Sequence, residues 1–574
     1  MTTICEAPED FAATALAGYC AIHGRTVRLV RGGVVRATET PRGKVSIVVG
    51  GGSGHFPAFA GYVGPGFADA AVAGDVFASP STAAVARVCR HADRGGGMIL
   101  GFGNYAGDVL NFSVAAERLR AEGIDVRIVP VTDDVASAPA ETASKRRGIA
   151  GTVLVYKVAG AAAEAGLPLD EVERLTRLAN DCTVSFGVAF GGCTLPGASA
   201  PLFTVPHGKM GVGLGIHGEP GIREEKTPPA GRLAKLLVDT LIAERPAGTK
   251  KAAALLNGLG ATKYEELFVL WQAVAAELKG HGLEIVEPEA GEFVTSLNMQ
   301  GCSLSLMWLD DELERYWRAP SDSPVLRKGS IQSKPATDVL DDREDHAVYD
   351  PASDASRASG QCIASLIADV ASALHDAQAE LGRIDAIAGD GDHGQGMARG
   401  SAAASSVAAK AVAAGAGAAS VLAAAGDAWA DRAGGTSGAI WGLLLRTWSS
   451  AFSDNQAVGP QQVVAGARMA LDGVIRLGRA KLGDKTLVDA FVPFVETLEQ
   501  SSAAGKPLTA AWAAAAKAAG TAADATSALT PKIGRARPLA ERSVGHPDAG
   551  AVSLALTAET VASFLGRADM ERGQ

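Results

Sequence analysis

Aromatic residues make up only 5% of this 574-residue chain, and its seven cysteines include no Cys-x-x-Cys pair. An odd number of scattered thiols builds neither a disulfide framework nor a zinc site, and it points to a reducing compartment. No block of Lys or Arg occurs, and the net charge is -10. A nucleic-acid partner is therefore excluded, because neutralising phosphates demands a basic face. The first eleven residues lack a basic segment followed by an apolar one, so a cytoplasmic location is expected over secretion. The longest mildly apolar stretch, 401–426, is mostly Ala, Gly and Ser and is broken by Lys410. Soluble helices are expected there, with no membrane partner. Disorder is excluded by a composition that is 47% hydrophobic and 20% charged. Glycine is abundant, at 69 residues, which predicts many turns where backbone approaches something closely.

Between residues 25 and 205 short β-branched runs alternate with helical patterns. The runs at 45–49, 97–100 and 126–131 end in Gly50-Gly51-Gly52, Gly101-Phe102-Gly103 and Thr132-Asp133-Asp134. Helical patterns fill 82–91 and 109–122. This alternation predicts βαβ units around a largely parallel sheet buried on both faces. Ligands of such sheets sit beyond the carboxyl ends of the strands. The expected organisation is an α/β domain over 1–330, with subdomains 1–183 and 184–330. The charged, Pro/Ser-rich stretch that follows lacks apolar periodicity, and 331–358 reads as a linker. Residues 359–574 are Ala-rich and predict an all-α domain.

Gly50-Gly51-Gly52-Ser53-Gly54-His55 directly follows a strand, and its glycines let backbone N–H groups converge on a polar ligand. No Gly-Lys-Ser/Thr follows, so this is not a P-loop. Alone, the segment fits a sharp turn with an incidental histidine equally well. Asp108 opens a helix just past a strand end, as a base would and as an ordinary N-terminal cap also would. His217 is held among Gly211, Gly213, Gly215, Gly218 and Gly221. That placement suits capture of a small molecule, or a loop histidine with a structural hydrogen bond.

In the second half Asp385, Asp390 and Asp392 stand at i, i+5 and i+7. Closely spaced anions repel, so a shared cation is the natural explanation. Ser401 stands where a calcium loop needs its bidentate Glu, and magnesium suits the set better. Gly434-Gly435-Thr436-Ser437-Gly438 opens an apolar helix, which fits a phosphate cradle or simple capping. Charged loops follow at Gly483-Asp484-Lys485-Thr486 and between Arg535 and Asp548.

Taken together and in order, these motifs resemble the dihydroxyacetone kinase family. GGGSGH stands at 50–55, NYxGDxxNF at 104–112 and GxGIHGEPG at 213–221. The second half carries GDGDHG, GGTSG, GDKT and ERSxGH. The resemblance implies an α/β ketose-binding half followed by a helical-barrel half that binds ATP and Mg2+. It implies that His217 holds a short-chain ketose as a covalent hemiaminal, that Asp108 accepts the proton of the attacking hydroxyl, and that His55 hydrogen-bonds the substrate within the Gly52-Ser53-Gly54 cradle. It further implies that Asp385, Asp390 and Asp392 hold magnesium, that Gly435, Thr436 and Ser437 contact phosphates, and that Arg535 and Asp548 adjoin the nucleotide. Both halves on one chain resemble the ATP-dependent branch, and a homodimer is expected.

Departures from the family pattern bear on substrate choice. Phe56 replaces a common Glu, Phe59 a common His, and Gly103 a common Lys. Loss of the carboxylate and the lysine together is coherent, since either alone would be left uncompensated. The pocket is expected to take the four-carbon erythrulose ahead of dihydroxyacetone. The alternatives are dihydroxyacetone kinase proper, a cyclase that cleaves FAD, and a sugar sensor without catalysis.

Overall fold

The computed structural model describes residues 4–219, 221–331, 335, 349–389, 391–533 and 540–572. Asp390, Arg535 and most of the expected linker lie outside the described residues. The chain forms two compact units, 1–342 and 343–574.

The first sheet of unit one comprises β1 (Val27–Val30), β2 (Gly33–Arg36), β3 (Ser46–Ser53), β4 (Ala70–Val76), β5 (Met98–Gly103) and β6 (Val126–Val131), in the order β1-β2-β4-β3-β5-β6. The four strands from β3 to β6 pair in parallel. Five helices accompany the sheet: α1 (Phe11–Ile22), α2 (Thr82–Ala92), α3 (Ala106–Ala121), α4 (Thr152–Glu164) and α5 (Leu169–Asp181). Successive residues of a strand point to opposite faces. Val48 accordingly packs with Val85 of α2 and Phe112 of α3, while Ile47 and Val49 pack with Val153 and Tyr156 of α4. Burial on both faces is why β3 and β5 read as unbroken apolar runs.

The second sheet is built from β7 (Thr183–Ala189), β8 (Lys209–Val212), β9 (Arg223–Lys226), β10 (Lys251–Gly258), β11 (Glu284–Ile285), β12 (Glu289–Gly291) and β13 (Gly301–Leu309), with helices α6 (Ala230–Ile242), α7 (Tyr264–Gly280) and α8 (Asp311–Arg318). Its centre is antiparallel, β13 pairing with both β7 and β10, so the parallel character of the α/β half resides mainly in the first sheet. β8 and β9 form an antiparallel pair with Val212 opposite Arg223. The loop between them presents His217. A last pair of two-residue strands, β14 (Ser321–Asp322) and β15 (Arg327–Lys328), closes the unit.

Unit two is helical throughout its described residues: α9 (Asp354–Asp376), α10 (Gln378–Asp385), α11 (His393–Ala413), α12 (Ala418–Ala433), α13 (Gly435–Ser449), α14 (Pro460–Gly478), α15 (Leu487–Ala503), α16 (Leu508–Ala525), α17 (Ala540–Ser543) and α18 (Ala549–Arg572). Small side chains let the helices approach closely. Gly400 of α11, for example, lies so near Trp429 of α12 that an added Cβ would come within 2.5 Å of the indole. The stretch 549–567 of α18 is long and apolar enough to cross a membrane by composition alone. Its Ala551, Leu554, Ala555, Ala558 and Val561 are instead buried in the helical core.

Candidate active site

β3 and β5 are hydrogen-bonded neighbours, so the loops leaving their carboxyl ends share one edge of the sheet. After β3 the chain passes through Gly54 at φ +97°, a conformation that favours glycine. A Cβ on Gly52 would lie 2.8 Å from the Ala78 backbone nitrogen, so the two loops nest backbone to backbone. The Ser53 hydroxyl donates to the Gly74 carbonyl at 2.6 Å and holds the end of β3 against β4. After β5, Tyr105 caps α3 and Asp108 lies buried in its first turn. The Tyr105 ring stands edge-on to His217, with centroids 4.7 Å apart, which brings the start of α3 to the histidine loop.

The two histidines face each other, His55 Nε2 lying 3.0 Å from His217 Nε2. Their other nitrogens settle the polarity of that bond. His55 Nδ1 lies 2.7 Å from the Thr295 carbonyl oxygen, which can only accept, so the proton of His55 sits on Nδ1. Burial, and then the neighbouring His217, push the His55 pKa down to about 3. The ring is therefore neutral, with a lone pair at Nε2 aimed at His217. A proton shared by the facing nitrogens is therefore carried by His217 Nε2, and because Nδ1 donates to Glu219 as well, the ring that makes both bonds is an imidazolium balanced by that carboxylate.

Glu219 grips His217 twice. One carboxylate oxygen accepts from the ring Nδ1 at 3.1 Å and the other from the backbone N–H at 3.0 Å. Burial alone would raise the Glu219 pKa, but His217 and Arg147 outweigh it and hold the carboxyl well below its usual range. Phe77 stacks on His55 with centroids 4.9 Å apart and meets His217 edge-on at 5.3 Å. The result is a proton-defined imidazole pair between aromatic walls, above a glycine-rich cradle. Gly103 is tightly placed, since a Cβ there would lie 3.0 Å from the Tyr105 ring and 3.1 Å from the Gly148 carbonyl oxygen. Phe59 packs over Gly51, whereas Phe56 is exposed and touches Tyr19 edge-on.

In unit two, Asp385 ends α10 and its carboxylate accepts from the Gly391 N–H at 2.9 Å and, more weakly, from the His393 N–H at 3.4 Å. Asp392 is the exposed N-cap of α11. Buried His393 links three elements, lying 3.3 Å from the Ser437 hydroxyl of α13 and 3.0 Å from the Ser553 hydroxyl of α18. Gly434 and Gly435, at φ +66° and +59°, form the turn that starts α13. Gly550 of α18 adjoins Leu487 of α15, where an added Cβ would lie 3.4 Å away. The N-termini of α11, α13, α15 and α18 thus gather in one region, which is a favourable place for anionic phosphates.

The same region carries Asp489, which accepts from the Gly483 and Thr486 N–H groups, and Asp548, which caps α18 through the Ala551 N–H at 2.8 Å. Burial pushes the Asp548 pKa up to about 7; the Ala551 N–H and Lys485 oppose this, while Asp489 and Asp385 add to it. A divalent cation would relieve this crowding of carboxylates. Among the described residues no group of three His, Cys, Asp or Glu side chains closes on one point. Asp385 and Asp392 with phosphate oxygens and water still make a donor set that fits magnesium.

Sequence reasoning missed several of these groups. Glu219 was visible two residues from His217, but its role shows only in the contact. His393 stands in the GDGDHG motif, but its ties to α13 and α18 show only in the contacts, and Thr295, Arg147 and Phe77 had no local signal because their partners are distant in the sequence.

An imidazole pair over a glycine-rich cradle on an α/β unit, together with converging helix N-termini beside carboxylates on a helical unit, is an arrangement that suits a small-molecule kinase. Residues 17–325 match the Dak1 domain and residues 387–563 the DAK2 domain. The chain is 54% identical to the D-erythrulose kinase of Mycolicibacterium smegmatis, over 98% of both chains. It is 51% identical to the L-erythrulose kinase of Pectobacterium atrosepticum, over 98% of this chain and 97% of that one. The crystal structure of the C. freundii dihydroxyacetone kinase in complex with AMP-PNP and Mg2+ is similar at a TM-score of 0.53, with 27% identity and coverage of 98% and 99%. The chain belongs to the dihydroxyacetone kinase family.

Proposed function

We propose that this protein transfers the γ-phosphoryl group of ATP to a terminal hydroxyl of erythrulose held on His217. The observation that carries the proposal is the 3.0 Å approach of His217 Nε2 to an accepting His55 Nε2. The Nε2 proton of the His217 imidazolium first passes to His55, and the lone pair this frees on Nε2 adds to the ketose carbonyl. That buried ring holds a proton poorly, so the proton moves on to the carbonyl oxygen, which becomes the hemiaminal hydroxyl. One N–C bond and one O–H bond form, and one N–H bond and the carbonyl π bond are lost. Glu219 keeps the Nδ1 proton in place throughout, as an orienting carboxylate does beside a catalytic imidazole. Asp108 then takes the proton of the attacking hydroxyl.

Asp385, Asp390 and Asp392 hold magnesium in this reading, while Gly435, Thr436, Ser437, Arg535 and Asp548 contact the nucleotide. When bound, Mg-ATP supplies the phosphoryl group and neutralises charge during transfer. Similarity to two erythrulose kinases supports the four-carbon substrate, whereas the exposed Phe56 and the crowded Gly103 add no visible room for it. The setting proposed is the cytoplasm and the assembly a homodimer, which sedimentation would register as twice the chain mass of 58.3 kDa.

The test is a panel of D-erythrulose, L-erythrulose and dihydroxyacetone with Mg-ATP. One erythrulose enantiomer should exceed dihydroxyacetone in kcat/KM by at least about tenfold, the discrimination that roughly 1.4 kcal/mol of differential binding gives. A preference for the three-carbon ketose refutes the substrate assignment, and absence of any phosphorylated product refutes the kinase.

A further inference from the structure

Behind Glu219 lies a buried charge chain with no part in the steps above. Arg147 directs Nε to Asp134 Oδ2 at 2.8 Å, and one terminal nitrogen to the same oxygen at 2.7 Å and to the Gly213 carbonyl at 3.3 Å. Its other terminal nitrogen lies 3.9 Å from Glu219 Oε2. Asp134 is almost fully buried and Arg147 largely so. Their segments are also joined through backbone, the Asp134 N–H donating to the Arg147 carbonyl and the Arg147 N–H accepted by Ser137 Oγ. Gly215 makes the approach possible, because a Cβ there would lie 2.1 Å from Glu219 Oε2 and 2.6 Å from the Arg147 guanidinium.

This chain spans the two subdomains. Asp134 and Arg147 follow the first sheet, whose strand ends carry the ketose cradle, whereas Gly213, His217 and Glu219 belong to the β8–β9 loop of the second. Resting on the proposed capture at His217, we infer that Arg147, anchored by Asp134, is a positioning residue for the nucleophile. It fixes the Glu219 carboxylate over the cradle edge, and Glu219 in turn fixes the His217 ring so that Nε2 faces His55. A guanidinium suits the task better than an ammonium because its rigid fork serves Asp134, Gly213 and Glu219 at once.

The test measures capture apart from turnover. With erythrulose carrying 13C at the carbonyl, addition turns a trigonal carbon tetrahedral, and the displaced NMR signal gives adduct occupancy per folded protein. R147Q should lower occupancy and kcat/KM by about 10²-fold, the scale of a small misplacement of a reacting group, while leaving Mg-ATP affinity unchanged. R147K should recover part of the loss and D134N should show an intermediate one. Should R147Q fail to fold, D134N and R147K decide by the same signal. Unchanged occupancy per folded molecule in these variants overturns the positioning role while leaving capture at His217 intact. No adduct on the unsubstituted protein would instead defeat the capture step itself.

Discussion

Keeping His55 neutral has a cost in acid that can be worked out from its surroundings. Its pKa falls from an ordinary 6.5 to about 3, first through burial and then through His217. A histidine depressed in this way contributes its full stability above pH 6.5, where folded and unfolded chains are both neutral. As the pH falls below 6.5 the unfolded chain binds a proton that the folded one refuses, and stability is lost until the pH reaches the folded value. Each pKa unit is worth about 1.4 kcal/mol, so the loss at pH 5 is about 2 kcal/mol and its ceiling near pH 3 is about 5 kcal/mol. The H55N variant has no such titration. Urea unfolding of unit one, followed by hydrogen exchange in β3 at pH 7.5 and pH 5.0, should show the unsubstituted protein losing about 2 kcal/mol more than H55N between the two pH values. Replacing His217 by Gln removes the second cause and should give a shallower acid slope than the parent. Equal losses in H55N and the parent would refute the assignment of a neutral, Thr295-bonded ring.

Other variants separate capture, transfer and specificity. H217A should lose the ketose adduct and turnover yet bind Mg-ATP normally, as isothermal titration would report. D108N should retain the adduct in the 13C spectrum while kcat falls by about 10²–10⁴-fold, the usual worth of a positioned base. G215A should lower adduct occupancy, because its methyl group would push aside the Glu219 carboxylate and the Arg147 guanidinium. The paired change F56E/G103K should shift the kcat/KM ratio toward dihydroxyacetone; a ratio unchanged in a folded variant would show that these positions do not set chain length.

The parts legible in the sequence are those whose signal is local. A both-faces-buried strand such as β3 gives an unbroken apolar run, and a ligand loop at its end needs glycine, so the cradle and its place beyond a strand end are read from adjacent residues. The same runs carry no information on strand direction. β7 and β13 are as continuously apolar as β3, yet they pair antiparallel with each other. Direction is set by connections, and the short β8–β9 loop that presents His217 reflects hairpin topology. Partnerships across subdomains are hidden for a similar reason. Asp134 and Arg147 precede His217 by some 70 residues or more, and nothing near either of them marks a tie to Glu219. In the helical unit Asp385 is visible as one of a trio, but its crowding with Asp489 and Asp548 arises only once helix N-termini from distant parts of the chain converge.

In the proposed capture, two like side chains 3.0 Å apart take opposite parts in a proton transfer. Their facing nitrogens are equivalent, so the asymmetry has to come from the far side of each ring. His55 meets a neutral carbonyl, which fixes one proton and leaves burial free to forbid a second. His217 meets a carboxylate, which holds a proton at Nδ1 and enriches the ring in electrons once Nε2 gives its proton up. Exchanging the two acceptors would exchange the roles and place the nucleophile on the β3 loop. The separation of the subdomains therefore has a chemical consequence. In the proposed capture the first supplies an acceptor just after β3 and a base in the first turn of α3, the second supplies a nucleophile with its own counter-charge, and Arg147 is the residue through which the second is registered on the first.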